Sequence, residues 1–261
     1  MALPYEIYIG LRYLRAKRRN RTISFNTIVS IVGITLGVAA LIGTVGIMTG
    51  FKEDVQAKIL GTTAHILVND RMKESMTDYE EQVKKVSTVP EVVAATPFIF
   101  RQVLLTSPSG VQGIILRGID PAREGAVTEL AHNLINGNLD DLSHTVKVVI
   151  PEKEREPNGP DTAMRPGIIL GKELSMRLGV FPGDTLNVVS PVGPITGASM
   201  TPKIRQFVVV GLFQSGMYEY DSSLAYIELG EAQKCFDMGA IVKDIEVKVA
   251  DVFRASDVAR A

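Results

Sequence analysis

His65, His132 and His144 are the only histidines in the chain, and none stands at a spacing that would close two of them, or one with a cysteine, around a metal ion. Each reads as an ordinary surface or edge residue. The single cysteine, Cys235, permits no internal disulfide. Gly167-Ile168-Ile169-Leu170-Gly171-Lys172-Glu173 imitates a phosphate-binding loop, but three residues separate its glycines where about four are needed, and Glu173 replaces the magnesium-binding Ser/Thr. Gln214-Ser215-Gly216 lacks the first glycine of a nucleophile elbow and has no nearby histidine to act as base. Asp140-Asp141 and the acids from Glu152 to Glu156 read as solvated charges. The residue types of catalysis are present without its spacing, so the sequence reads as that of a non-catalytic protein with no metal site.

The elements that would carry another function begin with a membrane span. From Thr22 to Phe51 thirty residues pass without a charged side chain. At about 1.5 Å rise per residue, about twenty of them as a helix would cross the roughly 30 Å hydrocarbon core of a bilayer, so the stretch fits one span. Residues 1–22 carry six basic residues (Arg12, Arg15, Lys17, Arg18, Arg19 and Arg21) against the single acid Glu6, whereas the other 239 carry 22 basic residues against 28 acids. The positive-inside bias keeps the basic end in the cytoplasm and sends the chain beyond Phe51 across the membrane. A secretory signal cleaved near Val38-Ala39-Ala40 is the competing reading, but signal apolar regions run about 7–15 residues and Leu41–Met48 continues apolar.

Leu3, Ile7, Leu11 and Leu14 recur at helical spacing, with Tyr5, Tyr8 and Tyr13 suited to an interface. They predict a short amphipathic helix on the inner leaflet; a plain orienting charge cluster accounts for the basic residues equally well. Within the span, Gly33 and Gly37, Ala39 and Gly43, and Gly46 and Gly50 stand four apart, which lets another helix approach closely in lipid. Phe51–Leu60 keeps helical spacing up to Gly61 as a stop, with no flexible linker, so the helix is expected to continue rigidly out of the bilayer.

Beyond Gly61 the pattern turns to short strands. Ala64–Val68 is the first, Thr77-Asp78-Tyr79-Glu80 has the form of a capping box opening a helix to about Ser87, and Val92–Leu105 with Val111–Ile119 predicts a hairpin across Ser107-Pro108-Ser109-Gly110. A second region starts near Asp120-Pro121. It holds a strand Val146–Ile150, a polar loop Glu152–Arg165, a strand Ile168–Leu170, a helix Lys172–Leu178, the turn Phe181-Pro182-Gly183-Asp184 and a strand Thr185–Val189. Strands resume at Phe207–Leu212 and Leu224–Ile227, followed by a helix Glu231–Phe236, a strand Ile245–Val249 and a helix opening at Ala255, the pattern of a chain that continues. Between Ser190 and Lys203, three prolines and two glycines exclude a regular helix, while Val192, Ile195 and Met200 place apolar side chains where solvent is expected. Such a segment is either a partner-binding loop or a hairpin tip folded back on the sheet.

This order of parts resembles the lipoprotein-releasing permeases, the LolC/LolE family within the MacB and FtsX group of ABC transporter permeases. The likeness rests on Ile9-Gly10-Leu11-Arg12-Tyr13-Leu14-Arg15, Gly33-Ile34-Thr35-Leu36-Gly37-Val38, Gly50-Phe51-Lys52-Glu53 and Ile59-Leu60-Gly61. Gly118-Ile119-Asp120-Pro121, Leu178-Gly179-Val180 and Gly183-Asp184 add to it. The resemblance implies an α+β fold: an N-terminal transmembrane helix followed by a periplasmic MacB-like domain, in which a Porter-like βαββαβ part carries an inserted β-rich Sabre-like part. The expected division is a cytoplasmic basic segment 1–22, the membrane helix 23–50, a Porter-like part 51–120 with 204–261, and a Sabre-like part 121–203 with a hook-like loop 191–203.

It further implies a permease subunit in the inner membrane, with its N-terminus cytoplasmic and the bulk of the chain periplasmic. A second permease subunit and a cytoplasmic ATPase dimer would complete the complex. The ATPase would bind ATP and magnesium, no cofactor would belong to this chain, and no nucleic acid is among its partners. The complex would extract acylated lipoproteins from the outer leaflet of the inner membrane and pass them to a periplasmic carrier. Pro191, Val192, Gly193, Pro194, Ile195, Thr196, Met200 and Pro202 would form the carrier-binding hook; Gly33, Gly37, Leu41, Val45 and Met48 would pack helices and line the lipoprotein cavity. The 191–203 loop resembles LolC, whereas Phe236-Asp237-Met238-Gly239 and Ala250-Asp251-Val252-Phe253 resemble LolE. A MacB- or FtsX-type permease for efflux or cell-wall hydrolase control, and a single-span periplasmic adaptor, are the alternatives.

Overall fold

A computed structural model of the chain describes residues 5–15, 21–62, 64–69, 76–149, 161–190, 195–196, 199–200 and 202–260. The chain divides into two compact units, Met1–Gln56 and Ala57–Ala261. The first holds α1 (Tyr5–Arg15), the helix predicted from the Leu/Ile spacing, and most of α2 (Arg21–Thr62), which starts at the uncharged stretch and whose last turns belong to the second unit. The Phe25–Gln56 segment of α2 is long and apolar enough to cross a membrane, and none of that segment's most apolar window is buried by the chain. The hydroxyls of Ser30, Thr35 and Thr44 donate to the carbonyls of Asn26, Ile31 and Ala40 at 2.8–2.9 Å. Those bonds satisfy side-chain donors that hydrocarbon could not. Gly61 lies inside the last turn of α2 rather than beyond its end.

The second unit is built on one twisted sheet. After β1 (Ile66–Asn69), α3 (Tyr79–Ser87) leads to the long hairpin of β2 (Val92–Ser107) and β3 (Gly110–Ile119). The hairpin turns at Pro108-Ser109, where the Ser107 hydroxyl accepts from the Ser109 N–H at 3.2 Å. The capping box expected at Thr77 does not form. Asp78 is the N-cap, its backbone (φ −99, ψ 34) departs from the extended geometry that lets a side chain reach back, and it makes no side-chain cap bond.

Next comes α4 (Pro121–Val127), which Asp120-Pro121 signals in the sequence only as the start of a region. Asp120 caps it by accepting from Ala122 N–H at 3.1 Å, with Pro121 in the first turn. Then follow β4 (Leu134–Asn136), a 3-10 turn at Leu139–Ser143, β5 (Thr145–Val149) and β6 (Thr162–Gly171). The polar loop expected up to Arg165 therefore yields to strand at Thr162, where Thr162–Pro166 pair with Val149–Thr145; residues 151–160 lie outside the described residues. α5 (Lys172–Leu178) ends at Gly179 in the left-handed conformation that glycine takes at helix ends. β7 (Thr185–Ser190), the two-residue strands β8 (Ile195–Thr196) and β9 (Ser199–Met200), and β10 (Lys203–Phe213) follow. The unit closes with α6 (Tyr218–Ser223), β11 (Leu224–Glu228), α7 (Leu229–Cys235), β12 (Asp244–Val249), a 3-10 turn at Val252–Arg254 and α8 (Ala255–Val258).

The strand order is β1-β12-β2-β3-β11-β6-β10-β4, with β5 on β6 and β7 joining β10 and β2. β3 and β11 are parallel neighbours, so residues 120–223 are an insertion between adjacent strands whose own strands extend the same sheet. One hydrophobic cluster joins Ile99, Val103, Leu116 and Phe207 to Leu174 and Leu178 of α5 and Ala232 of α7. A Cβ on Gly118 would sit 2.3 Å from that of Ala232, so α7 lies directly on β3. A second cluster gathers Ile119, Ile169, Phe213 and Tyr226 with Leu130, Leu139 and Leu142. There Phe213 and Tyr226 meet edge to face at 5.2 Å.

Candidate functional site

β7 and β10 form an antiparallel ladder from Thr185–Val208 to Ser190–Lys203, and beyond that last pair the chain makes a second, separate hairpin. There Ile195 pairs with Met200 and Thr196 with Ser199. Of the hook residues expected from the sequence, Ile195, Thr196 and Met200 therefore fall in β8 and β9, and Pro202 is exposed beside β10. Pro191, Val192, Gly193 and Pro194 lie outside the described residues.

The foot of this hairpin is polar on one side and apolar on the other, as alternation along a strand dictates. Lys203 donates to Asp237 Oδ1 at 2.5 Å and to the Lys234 carbonyl at 3.0 Å, while Arg205 donates to Glu231 Oε2 at 2.7 Å. Lys234 occupies the other Glu231 oxygen at 2.7 Å. Next to this network Cys235 is fully buried, and burial pushes its thiol pKa up. Between the two basic residues, Ile204 turns to the opposite face and is 62% exposed. Ile204 is registered with Val189, and Val189 with Leu104, so three apolar side chains cross β10, β7 and β2 in one row. Leu104, Val111 and Phe100 are also exposed, which leaves an apolar strip on this face of the sheet.

The predicted membrane-helix residues lie in the other unit. Leu41, Val45 and Met48 follow one another at i, i+4 and i+7 and are all exposed, so they share a face of α2. Space is open where side chains would be added at Gly33 and Gly37. The chain thus provides an apolar helix surface without burying it.

The residues first weighed for catalysis have structural partners. Val249 N–H donates to His65 Nδ1 at 3.2 Å, His132 stands 3.2 Å from Glu129, and His144 is exposed at the end of the 3-10 turn. Ile168–Leu170 form a buried strand, and a Cβ on Gly171 would meet the Asp221 carbonyl at 2.1 Å, so that glycine serves close packing against α6. Both the hydroxyl and the N–H of Ser215 bond to Asp221 Oδ1 at 2.7 Å. Asp141 reaches back to Asn138 N–H at 2.7 Å in a capping box. Among the described residues no group of three or more His, Cys, Asp or Glu could hold a metal ion.

Sequence reasoning missed a buried charge cluster under α4. Arg117 donates to Glu246 at 2.6 Å, lies over the rings of Phe98 and Tyr226, and stands 3.9 Å from Glu124, which is fully buried. Thr128 donates to Glu124 Oε1 at 3.0 Å, whereas Glu124 Oε2, Arg117 Nε and Thr96 Oγ1 find no partner among the described residues. Burial raises the Glu124 pKa to about 7; Arg117 works against that rise, and the neighbouring Glu246 charge adds to it. Between the two carboxylates, the 2.6 Å contact identifies Glu246 as the partner of the guanidinium.

The family model of the MacB-like periplasmic core domain matches residues 27–261. The lipoprotein-releasing system transmembrane protein LolC of Neisseria meningitidis serogroup B is 34% identical over 246 residues, covering 94% of this chain and 54% of that protein. LolC of Xylella fastidiosa strain 9a5c is 37% identical over 257 residues, 98% of this chain and 57% of that protein. LolE of Haemophilus influenzae is 24% identical over 254 residues, 95% of this chain and 56% of that protein. The chain spans about half the length of these curated relatives. Among solved structures, the extracellular domain of the noncanonic ABC-type transporter YknZ from Gram-positive bacteria is 16% identical with a TM-score of 0.42, over 74% of this chain and 86% of that one. The periplasmic region of MacB from Actinobacillus actinomycetemcomitans is also 16% identical, with a TM-score of 0.40, over 69% and 71%.

Proposed function

The chain belongs to the family of MacB-like periplasmic core domains, and from that premise we propose that it acts as a permease subunit of an ATP-driven system that releases lipoproteins from the inner membrane. The observation that carries this reading is the match to lipoprotein-releasing LolC proteins at 34–37% identity along 94–98% of the chain. The reading is of a LolC/LolE-type subunit, since LolE and LolC of Haemophilus influenzae are both matched at 24%. The basic end stays cytoplasmic and the second unit is periplasmic, as the charge bias on the two sides of the span directs.

In this reading α2 contributes Leu41, Val45 and Met48 to an apolar cavity shared with a second permease subunit, with Gly33 and Gly37 allowing close helix approach. An acyl chain moving from lipid into such a cavity gains little, because both surroundings are apolar. Exposing it to water costs roughly 0.8 kcal/mol per CH₂, so release needs an ATPase partner and a carrier that shields the chains. The β8–β9 hairpin and the uncovered strip of Ile204, Val189 and Leu104 form the surface on which that periplasmic carrier docks. The strip's Ile204–Val189 pair stands next to Lys203–Ser190, the last pair of the β7–β10 ladder, and the strip has the apolar character of an interface core.

A photo-crosslinking residue at Met200 in the full permease tests this. Capture of a periplasmic lipoprotein carrier is expected; capture of an outer-membrane channel or a cell-wall hydrolase would overturn the reading.

A further inference from the structure

We propose that the Lys203–Asp237 and Arg205–Glu231 ion pairs are positioning contacts, which tie the foot of the β8–β9 hairpin to α7 and set the direction in which the hairpin leaves the domain. Lys203 forms the last β7–β10 pair, opposite Ser190, so whatever fixes Lys203 fixes the root of the segment beyond it. Its ammonium has two acceptors, Asp237 Oδ1 at 2.5 Å and the Lys234 carbonyl at 3.0 Å. Arg205, on the same face of β10, reaches Glu231 at 2.7 Å, and Lys234 holds the second oxygen of that carboxylate. An isolated exposed ion pair contributes little, and the Asp237 side chain is 64% exposed, but Lys203 also bonds to the carbonyl of Lys234, whose ammonium shares the Glu231 carboxylate, 14% exposed, with Arg205. The anchor itself is firm. Ala232 and Cys235 of α7 are fully buried, with Ala232 against Gly118 of β3.

The backbone at Asp237 supports a specific role for its carboxylate. Met238 N–H donates to the Gln233 carbonyl at 3.0 Å, which closes the end of α7 with Asp237 in the left-handed conformation (φ 53). That position favours glycine, because a Cβ crowds the backbone there. Asp237 keeps a side chain at this unfavourable place, and its carboxylate is the group that receives Lys203. Aspartate is among the few side chains tolerated there, since its short polar group can bond nearby; here that group bonds to Lys203, 34 residues away in sequence.

The use of this clamp for carrier docking rests on the function proposed above, but the direction of the hairpin does not. Nitroxide labels at Thr196→Cys and Val111→Cys, in the full chain in lipid nanodiscs, give the hairpin-to-sheet distance distribution by pulsed electron resonance. Mass measurement checks that buried Cys235 stays unlabelled. A single narrow distribution is expected. Asp237→Gly should broaden it about two-fold or more while leaving the unfolding temperature equal or higher, since the turn is relieved and only the clamp is lost. Lys203→Ala should broaden it likewise, and Lys203→Arg should keep it narrow. Unchanged widths in Asp237→Gly and Lys203→Ala, or a wild-type distribution already as broad as theirs, would overturn the proposal. The distance needs no carrier, so failure of Met200 to capture one would count against the proposed function and leave this result standing.

Discussion

Replacing Glu124 by glutamine should make the periplasmic domain more stable at pH 8 and remove part of its pH dependence. Two carboxylates, Glu124 and Glu246, share the cation of Arg117, and the guanidinium is committed to Glu246 at 2.6 Å, with Glu124 at 3.9 Å. The cluster is therefore balanced when Glu124 is protonated and carries an uncompensated buried charge when it is not. Burial raises the pKa of Glu124 from 4.5 to about 7. A folded-state pKa above the unfolded value means that the folded chain binds the proton more tightly. The resulting stabilisation is complete below pH 4.5, declines as pH rises, and is lost above about pH 7. At about 1.36 kcal/mol per pKa unit, that window corresponds to at most about 3 kcal/mol. For a domain of this size it amounts to a difference of about 6–12 °C in unfolding temperature. The glutamine would imitate the protonated acid at every pH. Scanning calorimetry of wild type and Glu124→Gln in mild detergent, at intervals from about pH 4.5 to 8, should show the variant gaining on the wild type across the window. A constant difference between the two curves would refute the reasoning.

Other substitutions separate the parts of the account. Arg117→Met leaves two buried carboxylates without a cation and should cost about 3–5 kcal/mol at pH 8, with a smaller loss at pH 5 where Glu124 is protonated, as read by denaturant unfolding. Gly171→Ala drives a Cβ to 2.1 Å from the Asp221 carbonyl and should destabilise the domain by about 1–3 kcal/mol or more by the same measurement. Gly33→Leu with Gly37→Leu meets open space within this chain, so the domain's unfolding temperature should not move; co-purification of a second permease subunit should fall, because the helices can no longer approach closely.

Local features were legible where neighbouring residues decide the structure. Ser107-Pro108-Ser109-Gly110 has turn chemistry, and the hairpin turns there; Lys172–Leu178 runs as helix to Gly179, whose φ of 62 explains the stop. Charge and apolar length likewise located α2 without tertiary knowledge. α4 was harder: it is seven residues long and contains Gly125, although Asp120 followed by Pro121 was a readable start signal. The capping box at Thr77 was legible but misleading, because the backbone at Asp78 decided the cap.

What remained hidden depends on contacts distant in sequence. Arg117 and Glu246 are 129 residues apart and meet only because β12, β2 and β3 are successive neighbours in the sheet. Lys203 and Asp237, 34 residues apart in sequence, likewise meet only in the fold. The prolines and glycines between Ser190 and Lys203 announced an irregular projection, but they could not show that Ile195–Met200 pairs with itself rather than with the main sheet. The proposed lipoprotein-releasing role rests on resemblance along the chain, since the composition and spacing spoke only for a membrane span and an exported domain.

The most direct measurement is transfer. Full-length permease and its ATPase, reconstituted in proteoliposomes with an acylated lipoprotein, should deliver that lipoprotein to a soluble periplasmic carrier in an ATP-dependent manner. Deleting Ile195–Met200 should abolish delivery while ATP hydrolysis persists. Full delivery by the deletion variant, or active ATP turnover in the wild-type complex with no lipoprotein transferred, would contradict the account.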